Sequence, residues 1–423
     1  MTAPALTSLS SALSDTFVSL RARNFRLFVT GQLVSNTGGW VQRIAQDWLV
    51  LTITGSATAV GVTTALQFVP TLLLGLYGGL IADRFDKRTV LIATNAAMSG
   101  LAALLAALTL SGDVRAWHVY VIAFALGLVI TVDNPTRQSF VHELVGRELM
   151  HNAISLNSSA FQLGALIGPA ISGVLINTVG TGTAFAINSV SYLGPIVALT
   201  RIDVSALNRA QHAAKTGRQV IDGVRYARSL AAVRWPIVLI SVFGLFSINL
   251  PVTLAAYAHA EFHSGASGYG LLSSAVALGA LCGALSSARS GATRLRRLIA
   301  IEAVTCLAIM AAAATDAQWA LLVLLVAVGA ATLLFLTTAN STVQLATHDS
   351  LRGRVVGLYL LVFIGSGAIG GPIVGTIDQH YGPRGGMLLA GVVPLATVVL
   401  VASRLGWTQR PSEPLRAGRA RDR

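Results

Sequence analysis

Apolar residues in this chain fall into blocks of about twenty, separated by short polar turns. Neither the alternation of a half-buried strand nor the one-sided spacing of a soluble helix accounts for them. A helix needs about 20 mainly apolar residues to cross a hydrocarbon core roughly 30 Å thick. Twelve such blocks are readable: Phe25–Ile53, Ala57–Ala82, Val90–Leu110, Trp117–Val132, Ala153–Val179, Thr183–Leu199, Pro236–Ala258, Gly268–Ala288, Leu298–Ala314, Trp319–Thr338, Val355–Ile377 and Gly386–Ser403. Turn signals lie between them, among them Gly55-Ser56, Ser111-Gly112, Gly180-Thr181-Gly182, Ser264-Gly265 and Tyr381-Gly382-Pro383. Met1 to Leu20 lacks a charged start followed by an apolar run, so no cleavable signal peptide is expected.

Composition agrees with lipid as the solvent. Of the 423 residues, 54% are hydrophobic and only 11% charged, against about 25% charged in soluble domains. This excludes an ordinary soluble enzyme, a disordered protein and a coiled coil. The 41 glycines suit helices whose backbones approach closely in a membrane. Cys282 and Cys306 lie in apolar blocks with no metal or redox spacing and read as packing thiols.

Charge placement gives the topology. With the N-terminus inside, 27 of the 30 Lys and Arg residues fall on inner segments; Arg115 and Arg384 lie outside, and Arg43 lies within the first span. Both ends are therefore expected in the cytoplasm, in a plasma or inner membrane. The net charge of +13 is topological on this reading, with anionic lipid rather than nucleic acid as its partner. The expected organisation is a cytoplasmic segment 1–24, a six-helix bundle 25–200, a cytoplasmic linker 201–235, a second bundle 236–403 and a basic, lipid-touching tail 404–423.

The halves repeat each other. A shift of 209 residues sets Gly61 on Gly270, Lys87 on Arg296 and Arg88 on Arg297; a shift of 203 sets Gly164, Gly168 and Pro169 on Gly367, Gly371 and Pro372. Two pseudo-symmetric bundles imply a midplane site between them. No Walker A, HExxH or GxSxG motif occurs, so an ATP-driven pump or hydrolase lacks its usual parts.

Between the second and third spans stands Gly79-Leu80-Ile81-Ala82-Asp83-Arg84-Phe85-Asp86-Lys87-Arg88. It resembles the loop signature of the major facilitator superfamily, Gly-x-x-x-Asp-Arg-x-Gly-Arg-Lys. The departure is Asp86, where the signature has glycine and where a left-handed turn suits Asp less well. Gly79 is expected to let the second and eleventh spans touch, and Asp83 to sit at the N-terminus of the eleventh near Arg354. Lys87 and Arg88 are expected to seek Asp133. The resemblance implies that this network locks an outward-facing state.

The fifth span carries Gly164-Ala165-Leu166-Ile167-Gly168-Pro169-Ala170-Ile171-Ser172-Gly173. It is similar to the Gly-x-x-x-Gly-Pro-x-x-Gly-Gly signature of proton-coupled antiporters in that superfamily, with Ser172 replacing one glycine. The runs Asp133–Val145, Asn152–Ser158 and Leu351–Tyr359 resemble the branch that holds the enterobactin exporter and macrolide efflux proteins. The resemblance implies an all-α exporter of twelve helices in two six-helix bundles, working as a monomer on a drug, siderophore or metabolite. It implies no cofactor, the proton gradient being the energy source. A uniporter or importer, and a non-transporting membrane sensor, are the rival readings.

Polar groups within spans mark the chemistry. Gln32, Asn36, Gly39, Arg43 and Gln46 share one face of the first span and are expected to line the translocation cavity. Asp47, four residues from Arg43 and able to pair with it, is the candidate for proton coupling, a structural ion pair being the alternative. Glu302 lies near enough to Arg297 to snorkel to the inner surface. Thr63, Gln67, Gln162, Ser247, Asn249 and Asn340 are further cavity residues, with Phe68, Phe161 and Phe246 as apolar lining, suiting a bulky amphiphile. Pro70 and Pro251 are placed to break their helices near the site. His259, Glu261 and His263 read as a solvated loop rather than a metal site.

Overall fold

A computed structural model of the chain describes residues 17–208, 225–288 and 295–405. The first 16 residues, the middle of the linker (209–224), Arg289, Arg294 and the tail beyond 405 lie outside the described residues. Helices dominate and no strand occurs among the described residues. In order they are α1 (Arg23–Thr54), α2 (Ala57–Arg84), α3 (Lys87–Leu110), α4 (Ala116–Leu144), α5 (Met150–Ser191), α6 (Leu193–Thr200), α7 (Ala231–Phe246), α8 (Leu250–Ala256), α9 (Gly265–Ala288), α10 (Leu295–Ala313), α11 (Gln318–Ala346) and α12 (Asp349–Arg404). Eight stretches among the described residues are long and apolar enough to cross a membrane, two of them 51 residues long.

The turns follow from local chemistry. Gly55 ends α1 in the left-handed region (φ 63°), and Ser56 caps α2 by accepting from Ala59 N–H at 3.3 Å. Asp86 adopts an ordinary extended conformation (φ −61°) and caps α3, accepting from the Thr89 N–H at 2.9 Å and the Thr89 hydroxyl at 2.8 Å. The turn therefore needs no left-handed residue at Asp86, and the departure from the family glycine supplies an N-cap instead. Gly180 (φ 82°) and Gly382 (φ 76°) break α5 and α12, the conformations only glycine adopts without strain.

Some extents differ from the sequence reading. α4 continues twelve residues past Val132 to Leu144 with Pro135 inside it, an interior proline being tolerated in membrane helices. The seventh block is broken between Phe246 and Leu250, and Pro251 occupies the first turn of α8, where its missing N–H costs nothing. Pro70 remains inside α2.

Close crossings hold the helices together. α2 packs on α12 and α4, and α5 on α1 and α9; α2–α12 and α5–α9 join the first half of the chain to the second. A Cβ added to Gly371 would lie 2.6 Å from the Gly61 carbonyl oxygen, and one added to Gly270 would lie 2.5 Å from that of Pro169. These are one contact made twice. Gly61 and Gly270 are repeat partners, as are Gly168-Pro169 and Gly371-Pro372, so each half offers its small residue to the other's Gly-Pro turn.

The apolar core is asymmetric along the bundle. At the end bearing the Thr54–Ala57 turn, one buried cluster joins both halves, from Leu49 and Leu105 to Tyr269, Leu321 and Met387. At the end bearing Arg84 and Lys87 the halves have separate clusters, one around Phe28, Phe140 and Leu199 and one around Phe243, Phe335 and Val355. Gly79 and Gly357 belong to this second end, and a Cβ on either would meet nothing within 4 Å. Gly79 thus makes no close approach to α12 in this arrangement, in which the halves are apart at that end. Its neighbour Gly78 makes the close approach, against Thr131 of α4.

Gly61→Val should lower stability by about 1–3 kcal/mol through overpacking, whereas Gly79→Ala should leave it unchanged or raise it by up to about 1 kcal/mol through helix propensity. Thermal unfolding of the purified variants checks both.

Candidate functional site

A cavity of about 490 Å³ lies between α1, α2, α4, α5 and α12. Its polar lining comes from Ser35, Asn36, Gln42, Arg43, Gln46, Gln67, Thr71, Asn134 and Arg137, and its rings from Trp40, Phe68, Phe161, Tyr192 and Phe363. Of the predicted cavity residues it gathers Asn36, Gly39, Arg43, Gln46, Gln67, Phe68 and Phe161. Gln32, although on the same face of α1, is fully buried away from this space, its amide without a partner among the described residues. Gln162 is half-buried outside the lining. Asn249 turns back to donate to the Leu245 carbonyl at 3.2 Å, and Asn340 lines a separate cavity of about 200 Å³ with Tyr359 and Phe363. Thr63 and Ser247 are consumed by backbone carbonyls of Ala59 and Ala390. A buried hydroxyl or amide takes the nearest carbonyl when one is within reach, which is why helical facing alone overcounts the lining.

Arg43 and Asp47 do not bond to each other. The Arg43 guanidinium carbon lies 5.7 Å from the Trp40 ring centroid and 5.4 Å from that of Phe68, within cation–π range. Asp47 is buried against α9, where its Oδ2 accepts from the Tyr269 hydroxyl at 3.0 Å. Trp48 stacks on Tyr269 with centroids 6.5 Å apart. The Asp47–Tyr269 bond joins the two halves of the chain at the closed end. A second such bond runs from the Ala57 N–H to Gln379 Oε1 at 2.8 Å.

The fifth-span motif sits beside it. Cβ atoms on Gly164 and Gly168 would approach Asn36 and Thr37 at 3.1 Å and Trp40 Cβ at 2.5 Å, and Ser172 donates to the Val41 carbonyl at 3.0 Å. That face holds α1. Pro169 and Gly173 face α9, a Cβ on Gly173 reaching Ser267 Cα at 3.0 Å. One stretch of α5 therefore clamps both helices that carry the Asp47–Tyr269 bond, and Ser172 adds a side-chain hydrogen bond to α1 that glycine could not make.

The loop-end charges pair otherwise than expected. Lys87 bonds Glu143 at 2.5 Å, and Arg88 donates to the Leu199 and Thr200 carbonyls at 2.7 and 2.9 Å, completing the C-terminus of α6. Asp133 instead accepts from the Thr94 hydroxyl at 2.7 Å and pairs with Arg137, which also donates to Asn36 at 3.2 Å. The reason is reach. Asp133 lies ten residues before Glu143, about 15 Å up the helix, whereas Lys87 opens α3 at the level of Glu143. Asp83 is half-buried in the last turn of α2, and Arg84 is exposed.

Three carboxylates were placed differently or missed. Glu302 is fully buried and does not snorkel; among the described residues neither of its oxygens has a hydrogen-bond partner. Asp378 accepts from Thr253 at 2.9 Å and occupies the space that a side chain on Gly386 would need. It stands one residue past the eleventh block, where a lone carboxylate was itself a signal. Arg137 and Glu143 were legible as Asp-x3-Arg spacing and as a further acid in the same run. The expected 259–263 loop opens as a π-helical turn, Tyr257–Glu261, in which Glu261 pairs with Arg384 at 3.4 Å and His259 meets Trp48 edge-on.

Comparison with known proteins fixes the class. Solved transporters share the fold: a bacterial homolog to the human lysosomal transporter Spinster, inward-facing and unoccupied (TM-score 0.70, 13% identity, 90% of this chain and 95% of that one), and the nucleoside transporter NupG (TM-score 0.71, 11% identity, 90% and 99%). The chain belongs to the transmembrane secretion effector family of major facilitator transporters, whose model matches residues 14–414. It is a non-enzymatic, multi-pass membrane transporter. Its curated relatives include the multidrug efflux pump Tap of Mycobacterium tuberculosis, 27% identical over 391 residues (90% of this chain, 92% of the relative). The enterobactin exporter EntS of Citrobacter koseri is 25% identical (87% and 85%). The staphyloferrin A transporter of Staphylococcus aureus is 30% identical over 168 residues, covering 40% of this chain and 42% of that transporter.

Asp133→Asn strands the half-buried Arg137 charge and should cost about 3–5 kcal/mol, while Lys87→Met, which leaves the buried Glu143 carboxylate unpaired near the bundle end, should cost about 1–3 kcal/mol. Adding Arg137→Gln to Asp133→Asn should recover part of the first loss, read as a double-mutant cycle of unfolding temperatures.

Proposed function

We propose that this transporter exports an amphiphilic small molecule by alternating access, powered by proton influx. The observation that carries the reading is the asymmetry of the core: continuous across both halves at one end, divided at the other, with a polar and aromatic cavity between. The divided end bears the basic loops, which the positive-inside bias assigns to the cytoplasm. The described state is then open to the interior, where an exported molecule would load.

Twelve spans in two bundles support this geometry. Each 51-residue stretch would be about 76 Å long if straight, more than twice a hydrocarbon core, and each is broken at a left-handed glycine. α1 and α10 complete the set; they fall short in apolarity because one carries the cavity stripe and the other Arg296, Arg297 and Glu302. An even number of crossings would put both termini on one side, which the positive-inside bias makes the cytoplasm. A monomer in the plasma membrane, with substrate and lipid as its only partners, needs no further element.

Asp47 is the proton site in this scheme. Protonated from the outside, it loses its charge and is buried against Tyr269 as the outer end closes; release of that proton toward the interior leaves a charged carboxylate whose burial is costly, which favours the swing outward with substrate aboard. Clamping of α1 and α9 by the Gly164–Gly173 stretch keeps donor and acceptor in register. Import or uniport uses the same fold and predicts movement indifferent to a pH gradient; a sensor predicts no movement.

The test is reconstitution in proteoliposomes with an imposed pH gradient, using compounds picked from a growth-inhibition and export panel of deletion against overexpression. Gradient-driven accumulation is expected for the natural chain. Asp47→Asn is expected to fall to the level seen without a gradient while retaining substrate binding. Accumulation that ignores the gradient in both proteins would reject antiport.

A further inference from the structure

The cavity wall is chemically one-sided. Its ionisable lining consists of two arginines, Arg43 and Arg137, and no carboxylate is part of it. Arg137 is already neutralised by Asp133 and held by Asn36. Arg43 differs: among the described residues no carboxylate or carbonyl accepts from its N–H groups, and its neighbours are the rings of Trp40 and Phe68. Asp47, one turn along α1, is turned out of the cavity toward Tyr269. Two rings thus fix a guanidinium with its donors unspent, a fork that matches a carboxylate or sulfonate. Gln46 and Gln67 also line the cavity and can donate to such a group, while Phe161, Tyr192 and Phe363 offer faces for an aromatic body.

We propose that this cavity selects an organic anion, an aromatic or amphiphilic molecule bearing a carboxylate or sulfonate, with Arg43 as the specificity-determining residue. The inference rests on the export reading for its direction and not for its chemistry. A cationic amphiphile would meet the Arg43 guanidinium with no acid in the lining to face it, Arg137 being paired with Asp133, which is unfavourable in a site of reduced dielectric. For an anion, an interior-negative membrane potential also favours exit. The volume of about 490 Å³ falls in the range that holds drug-sized molecules.

The experiment compares two aromatic dyes of opposite charge, carboxyfluorescein and ethidium, by fluorescence anisotropy on the purified full chain in nanodiscs of neutral phosphatidylcholine. Carboxyfluorescein should bind at least about tenfold more tightly than ethidium, with an affinity that falls as salt rises. Arg43→Gln should weaken carboxyfluorescein by about tenfold to a hundredfold, the range that charge-assisted hydrogen bonds supply, and Arg43→Lys should restore part of it. Equal or tighter binding of ethidium by the natural chain would overturn the proposal even if Arg43→Gln does not fold. So would carboxyfluorescein binding unchanged in a folded Arg43→Gln. A separate dye-flux assay in sealed proteoliposomes distinguishes the two readings. Binding of the anion without flux rejects transport and leaves the charge preference standing; flux without preference for the anion rejects the preference and leaves transport standing.

Discussion

Lipid tails are as apolar as leucine, so helices in a membrane gain little by hiding apolar surface from one another. What holds them is contact so close that backbones touch, and only small residues permit it. This chain uses that constraint at its two crossings between halves. Gly61 against Gly371-Pro372, and Gly270 against Pro169 and Gly173, are the same joint made from reciprocal parts. Both joints lie toward the closed end, and the continuous apolar cluster lies with them. Toward the other end the halves separate, and the space between them is the cavity. The shape of the site is thus set by where the glycines are and where they stop.

Three interior carboxylates obey a second constraint, that a buried polar group is answered nearby, whereas Glu302, with no partner among the described residues, is an exception. Asp133 is answered by Thr94 and Arg137, Asp47 by Tyr269, and Asp378 by Thr253. These bonds differ in what they join. The first lies within the N-terminal half, between α3 and α4, and the last within the C-terminal half; both hold a half rigid. The Asp47–Tyr269 bond crosses between halves and must break if the closed end opens. That makes it the one of these carboxylates whose protonation state can report to the whole bundle.

Much of this was readable in the sequence, and the reasons for the remainder are specific. Apolar block length showed the helices, and the Lys and Arg bias sorted their ends, because both depend on composition over many residues. The extent of α4 was hidden because Asp133, Asn134, Pro135 and Arg137 look like a loop until Thr94 and Asn36 are seen to satisfy them. Pairings were hidden for a related reason. Helical periodicity gives the direction of a side chain but not which neighbouring helix stands there, and Tyr269 lies 222 residues from Asp47. Gln32 shows the same limit inside one stripe: it shares the face of Asn36 and Arg43, yet α1 is covered at that level. The repeat was legible as matched glycines, though not that each would meet the other's proline turn.

The account stands on the two ends of the bundle opening in alternation. Double electron–electron resonance on a variant lacking Cys282 and Cys306 measures this directly, with one spin-label pair at Thr54 and Thr376 on the closed end and another at Phe85 and Leu345 on the open end. Between neutral and acidic pH, the account predicts two distance populations at each pair that trade in opposite senses, the first pair shortening and the second lengthening as the pH falls. Distances that stay fixed at both ends, or that lengthen together, would contradict it.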